Sequence, residues 1–320
     1  MNIVRTVLGD IPASDLGVCY AHEHIFIGRS FTTFVTPDFR IDDVAVATAE
    51  LSDFHAAGGR AMVDSMPCDC GRNVASLAEI SCASGVHIVA PTGLHLEKYY
   101  PPGHWSERLT AKQIAALFVA EIEVGADAND YGGPQIERLP NRCGLIKVAS
   151  SLGGLTDRDR KIFEAAAIAH RQTGAPILAH TEQGTAALEQ VEFFARQGVA
   201  TSSLVLSHTD RKPELAYHLE VLSRGVFLEY DSAFRWPQNE SNPTLSLVVS
   251  LFAHGKGRQI MLGMDAARRG YWTHYGGHPG LSWLLTSFRK TLLTGGLQPA
   301  DLETLFIENP VRAYGFSPLS

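Results

Sequence analysis

A TIM (β/α)8 barrel, an α/β fold, is what this sequence predicts, on three observations. The chain has 320 residues with no low-complexity linker dividing it, long for an ordinary domain but normal for a barrel of about 250 residues plus insertions. Eight short apolar runs, several rich in β-branched residues, recur along it, and eight strands close such a barrel. In the second half these runs alternate with stretches of helical spacing, the order expected of a parallel sheet with crossover helices. The span 1–320 is therefore expected to form one domain, with extended loops at the C-terminal face of the strands.

Taken in order, strands are expected at Gly17–Ala21, Ala61–Ser65, His87–Thr92, Leu145–Ala149, Pro176–Ala179, Ser203–Ser207, Val226–Tyr230 and Ile260–Gly263. Several lack polar alternation, as parallel strands do when helices cover one face and a packed interior the other. Helices are expected at Ala111–Val124, Asp157–Thr173, Thr185–Gln197 and Pro213–Ser223, the last three followed closely by Gly174, Gly198 and Gly225, which suit helix C-termini. The aromatic, His- and Pro-rich stretch His95–Trp105 reads as a long loop over the barrel mouth.

Composition narrows the function. With 45% apolar and 19% charged residues the chain is globular. Its net charge of −7, without a Lys/Arg cluster, gives no footprint for nucleic acid. The start, MNIVRTVLGD, lacks the apolar core of a signal peptide, and no run approaches the roughly 20 residues needed to span a bilayer. A cytoplasmic protein acting on a small molecule, with no membrane partner, is expected. Five cysteines (Cys19, Cys68, Cys70, Cys82, Cys143) form no disulfide or zinc-ribbon pattern.

The polar residues at the strand ends carry the chemistry. His22 and His24 follow the first strand, His180 ends the fifth, His208 the sixth and Asp265 the eighth, while Lys147 lies inside the apolar run LIKVAS. The C-terminal strand edge is where barrel active sites form. Side chains alternate along a strand, so His22 and His24 share a face and make a chelating pair. A buried ammonium is costly unless paired or neutralised; burial lowers its pKa and frees an amine that can add CO2 to become an anionic carbamate. These nitrogen and oxygen donors suit Zn²⁺ and also Mn²⁺, Co²⁺ or Fe²⁺.

At these residues the chain resembles the phosphotriesterase family of the amidohydrolase superfamily, from TVLGDIPASDLGVCYAHEH near the start to IENPVRAYGF near the end. The resemblance implies two divalent metal ions: His22, His24 and Asp265 hold the more buried one, His180 and His208 the other, and carboxylated Lys147 bridges them. It further implies hydrolysis by a hydroxide held between the metals, with Asp265 taking the proton, and a homodimer. Arg268 and Tyr271 resemble the pair with which the phosphorylated-sugar lactonase branch holds phosphate, and Arg235 stands near that branch's further basic contact. Tyr100, with Tyr99 competing, resembles a loop tyrosine that meets the leaving oxygen. Glu182 and Thr185 are expected near the pocket; His95, His104, His274 and His278 cover the mouth or serve structure. A lactonase for a small anionic sugar lactone, with or without a phosphate group, is the leading expectation. A carboxyl ester, amide or phosphotriester hydrolase and a metal-stabilised binding protein without turnover are the alternatives.

Overall fold

The computed structural model describes residues 2–317; Met1 and residues 318–320 of the predicted 1–320 span lie outside the described residues. An antiparallel hairpin, β1 (Ile3–Thr6) and β2 (Gly9–Pro12), comes first. The barrel strands follow as β3 (Cys19–Glu23), β4 (Ala61–Asp64), β5 (His87–Val89), β6 (Pro91–Gly93), β7 (Leu145–Ser150), β8 (Ile177–Thr181), β9 (Leu204–Ser207), β10 (Phe227–Tyr230) and β11 (Ile260–Leu262). Each of the eight predicted runs overlaps a strand, several of which, such as β3 and β8, extend one or two residues further toward the mouth. The run His87–Thr92 is divided at Ala90: β5 pairs with β4 and β6 with β7, so the two act as one stave. Every pairing from β3 to β11 is parallel.

Closure is made by backbone rather than by a further ladder. The N–H groups of Met264 and Asp265 donate to the His22 carbonyl at 3.2 and 3.1 Å, joining the last stave to the first. Cys19, Ala21, Ala61, Val63, Val89, Leu145, Leu178, Val205, Phe227 and Met261 fill the interior. Their outward neighbours, among them Met62, Ile146, Val148, Ile177, Leu206 and Leu228, join the larger core beneath the helices. This two-layer pattern is that of a packed barrel.

The helices Ala111–Glu123 and Asp157–Thr173 match expectation closely, and Ala187–Arg196 and Leu215–Leu222 fall within their predicted spans. Asp157–Thr173 starts at a capping box between Thr156 and Asp159 and ends on Gly174 at φ 74°. It buries Ile162, Phe163, Ala166 and Ala169 against the staves. The hairpin and the final helix Asn309–Tyr314 close the barrel floor: Val4, Ala313 and Tyr314 pack with the interior residues, and the Tyr314 hydroxyl donates to the Ala21 carbonyl at 2.6 Å. Among the described residues no helix is long and apolar enough to cross a membrane.

Candidate metal centre

Strand alternation delivers the polar residues to the mouth. In β7, Leu145 faces inward and Ile146 and Val148 outward, so Lys147 turns inward one layer above Leu145. In β8, Leu178 faces inward, and His180 stands above it. The first strand needs a further device, because Ala21 fills the interior and His22 also faces the site. Successive residues share a side here because β3 carries one extra residue against β4, whose partners run Tyr20↔Met62 and then Glu23↔Asp64. His208 and Asp265 both adopt left-handed backbone, at φ 64° and 49°, uncommon for non-glycine residues and a strain that functional sites hold. Gly263 permits the closure: a Cβ there would lie 2.6 Å from the His22 carbonyl oxygen.

The resulting cluster is compact. Asp265 Oδ1 lies 3.1 Å from His24 Nε2 and 3.6 Å from His22 Nε2. The His22 and His208 rings are 4.6 Å apart and the His208 and His180 rings 4.5 Å. His22, His24 and Asp265 each bring a ligand atom within 4.8 Å of the others, as do His22, His208, Glu229 and Asp231. Burial, reinforced by the Lys147 charge, holds His22 well below the ordinary imidazole range; burial also lowers His180 and His208. Burial acts to raise Asp265, yet the hydrogen bond from His24 and the charges of His208 and Arg235 outweigh it and keep it well below the usual carboxylate range. Burial lowers Lys147 to about 8 against the upward pull of Asp265, Glu229 and Asp231.

These residues fit a divalent metal. Neutral imidazoles and an ionised carboxylate are the protonation states that ligate. Lys147 Nζ is buried and meets no hydrogen-bond partner among the described protein groups, as suits an amine whose partners are supplied with the ions.

A cavity of about 380 Å³ opens above the cluster. Arg235, Arg268 and Tyr271 all line it, together with Arg211. Arg235 donates to the Asp265 carbonyl and to the Asp231 carbonyl, each at 2.7 Å; Arg268 pairs with Asp38 at 3.0 Å and lies over the Phe39 ring. Tyr271 packs edge-on against Phe234. Tyr100 departs from expectation. Its hydroxyl is buried beneath the loop, accepting from His95 N–H at 2.7 Å and donating to the Cys68 carbonyl, and Tyr99 lines the cavity instead. Glu182 lines the cavity between His180 Nε2 at 2.7 Å and Lys98 Nζ at 3.0 Å. Thr185 does not line it; its hydroxyl donates to the Glu182 carbonyl. His95 lines the cavity, whereas His104 and His274 pair with Asp69 and Asp53.

Sequence reasoning missed three site residues. Arg211 donates to Asp265 Oδ2 at 2.7 Å and to Asp231 Oδ1 at 3.3 Å. Asp231 also binds His208 Nδ1. Glu229 is fully buried beneath them, and burial next to Asp231 pushes its carboxyl well above the ordinary range.

Fold and site together define a hydrolytic enzyme of the (β/α)8 class whose histidine and aspartate cluster can hold metal at the strand ends. A model of the phosphotriesterase family matches residues 2–314, and the chain belongs to that family. It is 30% identical over 325 residues to a phospho-furanose lactonase of Mycoplasmopsis synoviae (strain 53), covering 98% of this chain and 92% of the relative. A lactonase structure from Listeria monocytogenes superposes with TM-score 0.90 at 28% identity, over 99% of this chain and 100% of that one. The phosphotriesterase homology protein of Escherichia coli, solved with phosphate in its active site, gives TM-score 0.85 at 28% identity, over 94% of this chain and 99% of that one.

Proposed function

We propose that the protein is a lactonase that opens small anionic sugar lactones, a phosphorylated furanose lactone foremost, at a binuclear metal centre. The carrying observation is that three guanidiniums, Arg211, Arg235 and Arg268, and the Tyr271 phenol line the same small cavity as the His/Asp cluster. Arg forks match phosphate and carboxylate oxygens. The lactonase relatives and the phosphate in the active site of the Escherichia coli homologue support the same substrate class.

In this reading His22, His24 and Asp265 would hold one ion and His180 and His208 the other, with Lys147, whose Nζ can add CO2 and release a proton, supplying an anionic carbamate oxygen to the site. Zinc suits the donor set best. Divalent cations bound there supply Lewis acidity toward a carbonyl oxygen and acidify water. The chain does the rest. Asp265, fixed through Oδ2 by Arg211 at 2.7 Å and Arg235 at 3.2 Å, stays ionised and accepts the proton of the attacking water. Arg268 and Tyr271 hold the distal anion, and Tyr99 on the overlying loop meets the ring oxygen as it departs.

The test is a panel of sugar lactones with and without a 5-phosphate, beside neutral lactones and a phosphotriester, assayed on the metal-loaded protein and on Arg268→Met. Phosphorylated lactones are expected to win by more than about tenfold, or about 1.4 kcal/mol. Arg268→Met should cost them at least about tenfold more in kcat/KM than it costs neutral lactones. Equal turnover of neutral lactones or of the phosphotriester sinks the reading.

A further inference from the structure

The lysine and arginine side chains that line the cavity are Lys98, Arg211, Arg235 and Arg268, and each already has a carboxylate partner. Arg211 and Arg235 pair with Asp265 at 2.7 and 3.2 Å, Lys98 with Glu182 at 3.0 Å, and Arg268 with Asp38 at 3.0 Å. An anion entering the cavity therefore meets no bare charge and must exchange with a resident carboxylate. Asp265 is also engaged by His24, and Glu182 by His180, so those partners belong to the histidine cluster. Asp38 does not. Its side chain is 51% exposed, and among the described residues Arg268 is its one ion-pair partner.

Arg268 is held in place by more than Asp38. Its guanidinium carbon lies 4.7 Å from the centre of the Phe39 ring, within the range of a cation–π contact, and Phe39 itself lines the cavity. The neighbouring Arg269 stitches the same two segments together: Nε donates to the Arg40 carbonyl, and Nη2 lies 3.2 Å from Asp42 Oδ1. Residues 37–42 thus stay against Arg268 whether or not residue 38 carries a charge. Replacing Asp38 by asparagine removes the competing carboxylate and leaves these other ties intact.

We propose that Asp38 is a specificity-determining residue: an internal counterion that occupies the Arg268 fork until the distal anion of the substrate displaces it. This rests on the reading that Arg268 holds that anion. An arginine fork takes one carboxylate or phosphate face at a time in its bidentate geometry, so Asp38 and the substrate compete for the same donors. An exposed ion pair is weak and its carboxylate finds water readily, which makes the exchange easy. Asp38 lowers the affinity for anions at Arg268, and it does so only through Arg268. A neutral lactone does not enter this competition. The same exchange serves turnover, because ring opening adds a carboxylate to a molecule that already bears one anion, and the returning Asp38 favours its departure from the fork.

The test compares Asp38→Asn, Arg268→Met and the double variant with the metal-loaded wild type. The probe is ribitol 5-phosphate, which carries the anion but has no lactone to open, and its binding is read by calorimetry. Asp38→Asn is expected to bind it about two- to fivefold more tightly, whereas in the Arg268→Met background the same change should move binding by less than about 1.5-fold. Asp38→Asn should also raise kcat/KM for a 5-phosphorylated sugar lactone, relative to a neutral lactone, by about twofold or more. A gain below about twofold in binding, or one that persists beyond about 1.5-fold without Arg268, overturns the counterion role; the second result would show a general field at the mouth instead. Equal changes for charged and neutral lactones overturn the role in specificity. If Arg268→Met binds ribitol 5-phosphate as well as the wild type does, the anion role of Arg268 fails and the parent reading with it. Weakened binding in Arg268→Met beside an unchanged Asp38→Asn sinks only the role of Asp38.

Discussion

An amine buried in an apolar strand persists by losing its proton, by pairing, or by being chemically converted, and Lys147 is open to the first and third. Its sign with pH follows from the depressed value of about 8 in the folded chain against 10.5 as reference. Between these values the unfolded chain binds more protons, so stability rises with pH. Below about 8 both states are protonated and the whole penalty, on the order of 3 kcal/mol, is present. In stripped, CO2-free protein, the stability advantage of Lys147→Met over wild type should therefore shrink as pH rises from 7.5 to 9.5, as read by urea unfolding. A constant difference contradicts the assignment of that shift to Lys147. The same incongruity, a charge inside an apolar run, made Lys147 legible in LIKVAS, and it stood equally in FLEY, where it marks Glu229. Arg211 gave no such signal, because in SHTDRK it looks like an ordinary solvated charge. Nothing periodic in LEKYYPP separates Tyr99 from Tyr100, and only the folded loop decides which ring reaches the cavity.

Elements placed these side chains more reliably than residue identity did, because period-two alternation and an apolar interior leave a strand little choice of face. The eight staves were readable as short apolar runs, and the helix Asp157–Thr173 by its helical spacing and the glycine that ends it, Gly174. The hairpin Ile3–Thr6 with Gly9–Pro12 was not: each strand has four residues and the second alternates half-exposed with exposed positions, too little apolar pattern to register. The extra residue in β3 was equally invisible, although the pairing of His22 with His24 was expected without it. Closure beside that irregularity can be tested at Gly263. An added methyl would meet the His22 carbonyl at 2.6 Å and the His22 nitrogen and Glu229 Oε1 at 2.8 Å, two of them backbone atoms that cannot turn aside. Gly263→Ala is expected to lose about 2–3 kcal/mol. Gly270→Ala, with nothing within 4 Å of the new methyl, should unfold within about 0.5 kcal/mol of wild type. Equal stability for the two variants in denaturant titrations rules out the close approach as the cause.

At the scale of the whole molecule the barrel separates its duties between two ends. The count of eight apolar runs was enough to read the ring, and the strand-end histidines were enough to say at which end the polar cluster gathers, but the floor was hidden because it is assembled from the first and last segments of the chain. Arg5 is the pin of that floor. Its guanidinium donates to Asp10 at 2.7 and 3.0 Å, to the Ile122 carbonyl at 2.6 Å, and lies over the Phe316 ring, tying the hairpin to a covering helix and to the C-terminal segment. In TIM barrels this face serves stability and the opposite face catalysis. Arg5→Met keeps most of the stem but strands the buried Ile122 carbonyl and leaves Asp10 only its ion pair with Arg142 at 3.3 Å, which should cost about 1–3 kcal/mol. If the ends are energetically separate, the folded variant at 25 °C keeps its kcat/KM on the best lactone within about twofold while its urea midpoint falls. A tenfold loss of kcat/KM in protein that is still fully folded shows instead that strain at the floor travels up the staves to His22 and Lys147.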